Sequence, residues 1–300
     1  MADLQRLNIE MPTHYVKATD SIPKIIEIVS ELLKKEIAYE KNGNVYFDIT
    51  KFPDYGELSQ YSDQEMINIS AERGADPNDP NKRSPLDFIL WQKSQEGEPF
   101  WESPFGKGRP GWHIECSAMV NQYLGDQIDI HGGGFDLIYP HHESEIAQSE
   151  SFTGKSPYSK FWVHISMLRY QGEKMSKSLG NLVMVSNLIK EVEGNVIRFV
   201  LLSHHYRTPW EYTEDDLNNA KNKWQVILAA LNSSSGTQDN GKTEEFDQFL
   251  DYLNDDMRTD KALESAVNLA QSINKNLYQS EKETYINTLR QMILLLGFNI

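Results

Sequence analysis

Hydrophobic residues recur at helical spacing near the start of the chain and again through its last third. Over residues 22–33 they fall on one helical face, with Ser21 at the N-cap and Pro23 in the first turn, which predicts an amphipathic helix. Thr213 and Asp216 have capping-box spacing, and a break over 233–242 follows the helix that they open. Apolar periodicity predicts further helices over 244–254, 260–276 and 282–296. The last third is therefore predicted to be a small helical bundle.

Strand and turn signals dominate the first part of the chain. Asn42-Gly43 lies between residues of strand preference, which predicts a tight hairpin. Turn formers and charges dominate residues 54–82, which predicts an excursion from the core with a loop at 76–82. Further on, 161–167 reads as a buried strand, 168–181 as a turn-rich loop and 187–193 as a short helix.

A strand, a glycine run and a helix start follow one another in the middle of the chain. Ile128 to Ile130 predict the end of a short strand, Gly132 to Gly134 a loop, and Pro140 an early position of a helix over about 139–152. Glycines let the backbone approach a ligand closely, and ligands of open parallel sheets bind at this edge. The pattern predicts a binding site here.

Composition limits the classes of protein to consider. With 300 residues and 39% hydrophobic content, the chain can bury a large core in one large or two modest domains. No apolar run of about 18 residues and no N-terminal signal pattern occur, and a single cysteine fits a reducing compartment, so we expect a cytoplasmic protein without a membrane partner. A net charge of −15 argues against non-specific binding to nucleic acid, although basic residues cluster in the middle of the chain.

One cysteine and a histidine-rich helix start form the first chemical signal. If 139–152 is helical, His141 and Glu145 project from one face, and Cys116 upstream supplies a thiolate. Sulfur, nitrogen and oxygen ligands suit zinc, which usually takes a fourth group. The alternative is that Cys116 is a small buried apolar side chain and the histidines are a polar helix start.

A basic loop is the second chemical signal. Lys174, Lys177 and the serines at 176 and 178 lie among glycines, a composition that can neutralise and hydrogen-bond a polyphosphate. The spacing is not that of a P-loop, and a solvated basic loop remains the alternative.

Three motifs follow one another along the chain: GWHIECSAM at 111–119, DIHGGGFDLIYPHHESEIAQSE at 129–150 and GEKMSKSLGN at 172–181. Together they resemble the cysteinyl-tRNA synthetase family of class I aminoacyl-tRNA synthetases. The resemblance implies an α/β fold: the C-terminal part of a Rossmann-like catalytic core over 1–210, with an inserted connective region at about 20–110, followed by a helical tRNA-binding-like bundle over 211–300.

The same resemblance assigns candidate roles to individual residues. Its implied zinc ligands are Cys116, His141 and Glu145, three of the family's four, and its implied cysteine-binding residues are Trp112 and His131. Implied ATP-binding residues are Gly133, Gly134, Asp136 and Lys177, with Lys174 and Lys177 as the catalytic lysines.

The resemblance also implies a reaction and its partners. The family activates L-cysteine with ATP and Mg²⁺ and transfers it to tRNA(Cys), using Zn²⁺ to select the substrate. The family's HIGH motif, one zinc cysteine and the last small domain have no counterpart here, so we expect an incomplete or split ligase with a separate N-terminal half. The rival hypothesis is a catalytically inactive zinc- or cysteine-binding paralogue or fragment. A lipase-like use of His131 to Gly134 is discarded, because no GxSxG motif occurs.

Overall fold

The chain forms two compact units in the computed structural model, which describes residues 2–177, 179–234, 243–278 and 281–300. We call Thr13–Ile165 the site unit, and Met1–Pro12 together with Ser166–Ile300 the bundle unit. The boundaries between the two units lie at residues 12/13 and 165/166. The domain boundary expected at residue 210 stays a prediction. All but the first two residues of the predicted break over 233–242 lie outside the described residues.

Helices and strands of the described residues are as follows. The helices are α1 (Ala2–Arg6), α2 (Ile22–Lys34), α3 (Asp63–Glu72), α4 (Trp112–Tyr123), α5 (Glu143–Thr153), α6 (Val185–Leu188), α7 (Gly194–Leu202), α8 (Glu214–Asn232), α9 (Glu244–Asn254), α10 (Thr259–Asn274) and α11 (Lys282–Leu295). The strands are β1 (Ala38–Lys41), β2 (Asn44–Phe47), β3 (Phe88–Lys93), β4 (Gly108–Pro110), β5 (Ile128–Gly134), β6 (Ser159–Ile165), β7 (Leu168–Tyr170), β8 (Glu173–Lys174) and β9 (Trp210–Glu211).

The site unit combines an antiparallel sheet with a parallel strand pair. Strands β1 to β4 pair in sequence order, and β5 pairs with β6 in parallel. The apolar face of α2 packs into one core with residues of the sheet, of α4 and of α5, including Trp91, Ile114 and Ala147. The predicted helix and hairpin are confirmed: Asn42 and Gly43 have φ of 53° and 83°, the two positive values that a tight hairpin turn requires.

Two local predictions in the site unit are wrong and a third is incomplete. Residues 54–82 have the expected loop at 76–82 but also contain helix α3, which a Ser62–Glu65 capping box stabilises although the helix buries little apolar surface. The glycine run is not a loop, since Gly132 to Gly134 belong to β5 and pair with Val163 to Ile165. Regular helix begins at Glu143 and not near Tyr139, because the backbone is kinked within Ile138–His142, where Tyr139 has an extended φ of −135° and ψ of 137°.

The bundle unit packs its long helices around aromatic and aliphatic side chains. Trp224, Phe249 and Met292 are at most 1% exposed within one core, which α7 also joins. The capping box at Thr213 and the helices predicted over 244–254, 260–276 and 282–296 are confirmed with small shifts of their ends. Arg198 of α7 donates to the carbonyl oxygens of Leu7 (2.9 Å) and Leu296 (2.8 Å), which fastens the first residues of the chain to this unit.

Two predictions for the start of the bundle unit need correction. The loop expected at 168–181 contains β7 and β8, and β7 pairs in parallel with β9. The helix expected over 187–193 is instead α6 at Val185–Leu188, which overlaps it only at residues 187 and 188, and α7 was not predicted. None of the helices in the described segments combines the length and the apolar character that crossing a membrane requires.

Candidate functional site

Helix α4 and the segment leading into α5 bring three predicted metal ligands together. Cys116 lies in the second turn of α4, His141 in the irregular turn at 138–142, and Glu145 in the first turn of α5. One ligand atom from each lies within 4.8 Å of the others. His141 and Glu145 are four residues apart, and their Nε2 and Oε1 atoms are 2.9 Å apart.

The Glu145 carboxylate is buried and incompletely satisfied. Glu145 is 0% exposed, and its Oε2 atom accepts a hydrogen bond of 3.2 Å from the Tyr158 hydroxyl. Within the described part of the chain, Oε1 has no hydrogen-bond donor of acceptable geometry. Burying a carboxylate oxygen without a partner is costly, so a cation at this point would offset the cost of burial.

Burial favours the neutral form of His113, His131 and His142. Burial, and then the neighbouring His141, lower the pKa of His113 to about 3. Burial also lowers the pKa of His142 to about 3, and it lowers the pKa of His131, where Glu145 opposes the shift. The neutral imidazole is the form that binds metals. Nδ1 of His141 lies 2.9 Å from Nδ1 of His113, which leaves Nε2 directed toward Glu145.

The Cys116 thiol completes a donor set that lacks positive charge. Burial first, and then the carboxylates of Glu145 and Glu115, raise its pKa to about 12. A divalent cation would reverse this effect and favour the thiolate. Sulfur, imidazole nitrogen and carboxylate oxygen in one buried cluster fit zinc, and three protein ligands with one open position are typical of catalytic zinc.

A second ligand group shares Glu145 and was not predicted. It consists of His131, His142 and Glu145, whose ligand atoms also lie within 4.8 Å of one another. Nδ1 of His142 is 2.8 Å from Nε2 of His164 on β6, and His131 Nε2 is 3.5 Å from Glu145 Oε2. The sequence offered only the adjacency of two histidines as a signal, because the contact to His164 depends on the pairing of β5 with β6.

Both predicted cysteine-binding residues lie beside the candidate metal ligands Cys116, His141 and Glu145. Trp112 stacks on His141 with ring centroids 4.5 Å apart, and it remains 52% exposed. His131 packs against Trp162 and Tyr158 at centroid distances of 4.7 and 5.6 Å. An exposed indole above a metal ligand, with an imidazole nearby, can form the wall of a pocket for a small amphipathic molecule.

The predicted nucleotide-binding glycines lie on β5 next to these histidines. A Cβ on Gly133 would come within 2.7 Å of His142 Cε1, so only glycine fits without a shift. Gly134 pairs with Ile165, and Asp136 is half-buried in a short 3₁₀ turn at Phe135–Leu137.

The predicted catalytic lysines, Lys174 and Lys177, belong to the bundle unit. Lys174 ends β8, and both Lys174 and Lys177 are exposed. Asn181, which the sequence did not single out, holds this loop: its side chain accepts from the Ser176 backbone nitrogen (2.8 Å) and donates to the Lys174 carbonyl oxygen (3.1 Å). Residue 178 of the predicted phosphate loop lies outside the described residues.

Most of the chain matches the profile of a known enzyme family. A family profile described as "tRNA synthetases class I (C) catalytic domain" matches residues 1–222. The chain is 44% identical over 99% of its length to a cysteine–tRNA ligase of Legionella pneumophila (strain Corby), and 41% identical over 94% of its length to one of Thermococcus onnurineus. It spans 64% and 62% of the length of these two relatives.

Solved structures show a related fold. A methionyl-tRNA synthetase of Mycobacterium tuberculosis, in complex with methionyl-adenylate, superposes with a TM-score of 0.63 at 14% identity. That match covers 98% of this chain and 74% of the other. The fold is therefore that of class I synthetases, in agreement with the α/β core and helical bundle expected from the sequence.

Proposed function

Because this chain belongs to the family of class I cysteinyl-tRNA synthetases, whose catalytic-domain profile matches residues 1–222, we propose that it serves in ATP-dependent activation of L-cysteine and transfer of the amino acid to tRNA(Cys). The convergence of Cys116, His141 and Glu145 on one buried point carries the proposal. Zinc held there would supply a Lewis acid that accepts a thiolate in preference to a hydroxyl, and so separates cysteine from serine.

The residues around the candidate metal ligands suit the binding of a small amino acid. Trp112 covers His141 from the exposed side, and His131 approaches Glu145 from the β5 side. We assign both to the cysteine pocket, where neutral imidazoles and an indole would confine the substrate side chain next to the metal. Discrimination then rests on ligand chemistry and not only on the few kcal/mol that shape supplies.

Activation joins the cysteine carboxylate to the α-phosphorus of ATP and releases pyrophosphate. Positioning and charge neutralisation dominate such phosphoryl chemistry. We assign Gly133, Gly134 and Asp136 to the adenosine side, and Lys174 and Lys177 to the phosphates of Mg²⁺-bound ATP. The exposed lysines, on a loop that Asn181 braces, support this assignment. We place the reaction in the cytoplasm, where tRNA is charged.

The β5–β6 strand pair has an exposed apolar face. Ile130 and Phe161 are register partners on β5 and β6, and with Ile165 they are 54–67% exposed. Parallel strands are normally covered on both faces, so this apolar face suits a covering helix or a further layer of the core. We propose that a segment carrying the family's HIGH motif packs against it. The inactive paralogue is not favoured, because relatives that match nearly the whole chain are named as ligases.

Cysteine-dependent exchange of pyrophosphate into ATP tests the proposed function. The chain would be assayed alone and with a HIGH-containing segment taken from a relative. We expect exchange that depends on cysteine and rises when the segment is added. No exchange with cysteine in either preparation would contradict the proposal, and full exchange by the chain alone would remove the need for the added segment.

A further inference from the structure

The turn that carries His141 interrupts the helical backbone. Residues Ile138–His142 directly precede α5, and Tyr139 within them has an extended φ of −135° and ψ of 137°. Helical hydrogen bonds alone do not fix the orientation of this turn. The direction of His141 Nε2 therefore depends on contacts that hold the turn from outside.

A buried carboxylate directly after the turn makes the main outside contact. Glu143 is 1% exposed, and its Oε1 and Oε2 accept from the backbone nitrogens of Gly56 and Ser59, each at 2.9 Å. The backbone nitrogen of Leu58 adds a longer bond of 3.4 Å to Oε1. Gly56 has φ +104°, in the region that favours glycine, and this lets the loop curl so that its N–H groups converge on the carboxylate.

Two further contacts hold residues on either side of His141. The hydroxyl of Tyr139 lies 2.9 Å from Ser70 Oγ, and Ser144 Oγ lies 3.2 Å from the hydroxyl of Tyr55. Each pair joins the turn or the start of α5 to the segment between residues 55 and 70. Three contacts therefore hold the backbone on either side of His141, and only the contact of Glu143 involves a carboxylate.

We propose that Glu143 is a positioning residue for the metal site, tying the loop at 56–59 to the turn so that His141 and Glu145 point to one ion. Glu143 itself faces the loop, and it acts through the backbone that it shares with the two ligands. Outer contacts of this kind fix ligand orientation and tune metal affinity. The proposal rests on the proposed metal site and does not depend on ligase activity.

Metal binding by the full chain tests the proposal without any enzyme assay. Zinc affinity would be measured by competition with a chelator, and cobalt(II) absorption would report ligand geometry. Glu143→Gln keeps the volume but turns one acceptor into a donor that faces backbone N–H groups. We expect zinc affinity to fall about 10- to 100-fold, with a changed cobalt spectrum.

Asp87→Asn is the matched control. Asp87 is also 1% exposed, and its carboxylate accepts from the backbone nitrogens of Ile49, Arg83 and Ser84. Asp87→Asn therefore replaces an equally buried carboxylate that also accepts hydrogen bonds from backbone nitrogens of the site unit. We expect destabilisation comparable to that of Glu143→Gln, with zinc affinity and the cobalt spectrum unchanged.

Glu143→Asp tests the same idea if Glu143→Gln does not fold. It keeps the carboxylate but withdraws it by one methylene from the backbone nitrogens of Gly56 and Ser59, and we expect a loss of zinc affinity of about two- to tenfold, the effect of weakening a hydrogen bond. Unchanged affinity and spectrum in whichever of the two variants folds would overturn the positioning role while the metal site stands. Failure of the wild-type chain to bind cobalt or zinc would overturn the proposed metal site and this inference together.

Discussion

His141 Nε2 lies 2.9 Å from Glu145 Oε1, yet no hydrogen bond joins the two atoms in the described part of the chain. Both side chains are buried, and the thiol of Cys116 belongs to the same cluster. A ring nitrogen and a carboxylate oxygen this close can both bind one cation, which would satisfy the oxygen that has no donor. The proposed function depends on this relationship.

The first prediction concerns the thiol ligand. Cys116→Ser should reduce zinc from one ion per chain to a substoichiometric amount, because a protonated hydroxyl is a poor zinc ligand. Metal analysis of purified protein measures the effect. Ser117→Ala, at the next position of α4, should retain zinc. Full occupancy in Cys116→Ser would show that the ligand assignment is wrong.

Adjacent glycines of β5 provide a second prediction. Gly133→Ala should destabilise the fold by about 1–3 kcal/mol and displace His142, because the new Cβ would stand 2.7 Å from His142 Cε1. Gly132→Ala should change the free energy of unfolding by no more than about 0.5 kcal/mol, since the nearest atom is the Val163 oxygen at 3.7 Å. Urea unfolding compares the two variants, and equal effects would refute the packing argument.

The third prediction concerns the basic loop. In a preparation that shows cysteine-dependent pyrophosphate exchange, Lys177→Ala should lower the rate about 100- to 1,000-fold, the usual effect of losing one preorganised donor to transition-state charge. Lys190→Ala, which changes another exposed lysine of the bundle unit, should leave the rate unchanged. A rate in Lys177→Ala within twofold of the wild type would remove this lysine from the reaction.

The fourth prediction concerns pH and a histidine far from the metal ligands in sequence. Burial lowers the pKa of His204, which stacks on Trp210 at 3.8 Å, although Asp216 and Asp260 oppose the shift. The unfolded chain therefore takes up a proton near pH 6.5 while folded His204 is still neutral, so this residue's contribution to stability is lost as pH falls below about 6.5. His204→Phe keeps the ring, and should show a smaller fall in the free energy of unfolding between pH 7 and 5. Parallel pH profiles for both proteins would contradict this.

Sequence periodicity predicted the elements that local residues determine. Helix α9 has the expected bounds, and the hairpin follows from Asn42-Gly43, because these signals lie within the segments themselves. Cys116, His141 and Glu145 were also selected from motif spacing, and the structure brings their ligand atoms together. Their role as zinc ligands stays a proposal.

Features that depend on distant contacts were missed. Gly132 to Gly134 carry no strand preference, and only pairing with β6 about 30 residues later makes them a strand. The same reason hid the contacts of Glu143, whose partners lie 84–87 residues earlier. The start of α5 was placed too early, because sequence periodicity does not reveal the kink at Tyr139.

Titration of the cobalt-substituted chain with L-cysteine and with L-serine tests the central claim most directly. The account predicts that cysteine adds a sulfur-to-cobalt absorption band and that serine at the same concentration adds none, because the open metal position selects a thiolate. The cysteine-induced band should be lost in His141→Ala. An unchanged spectrum on addition of cysteine, or an equal response to serine, would contradict the account.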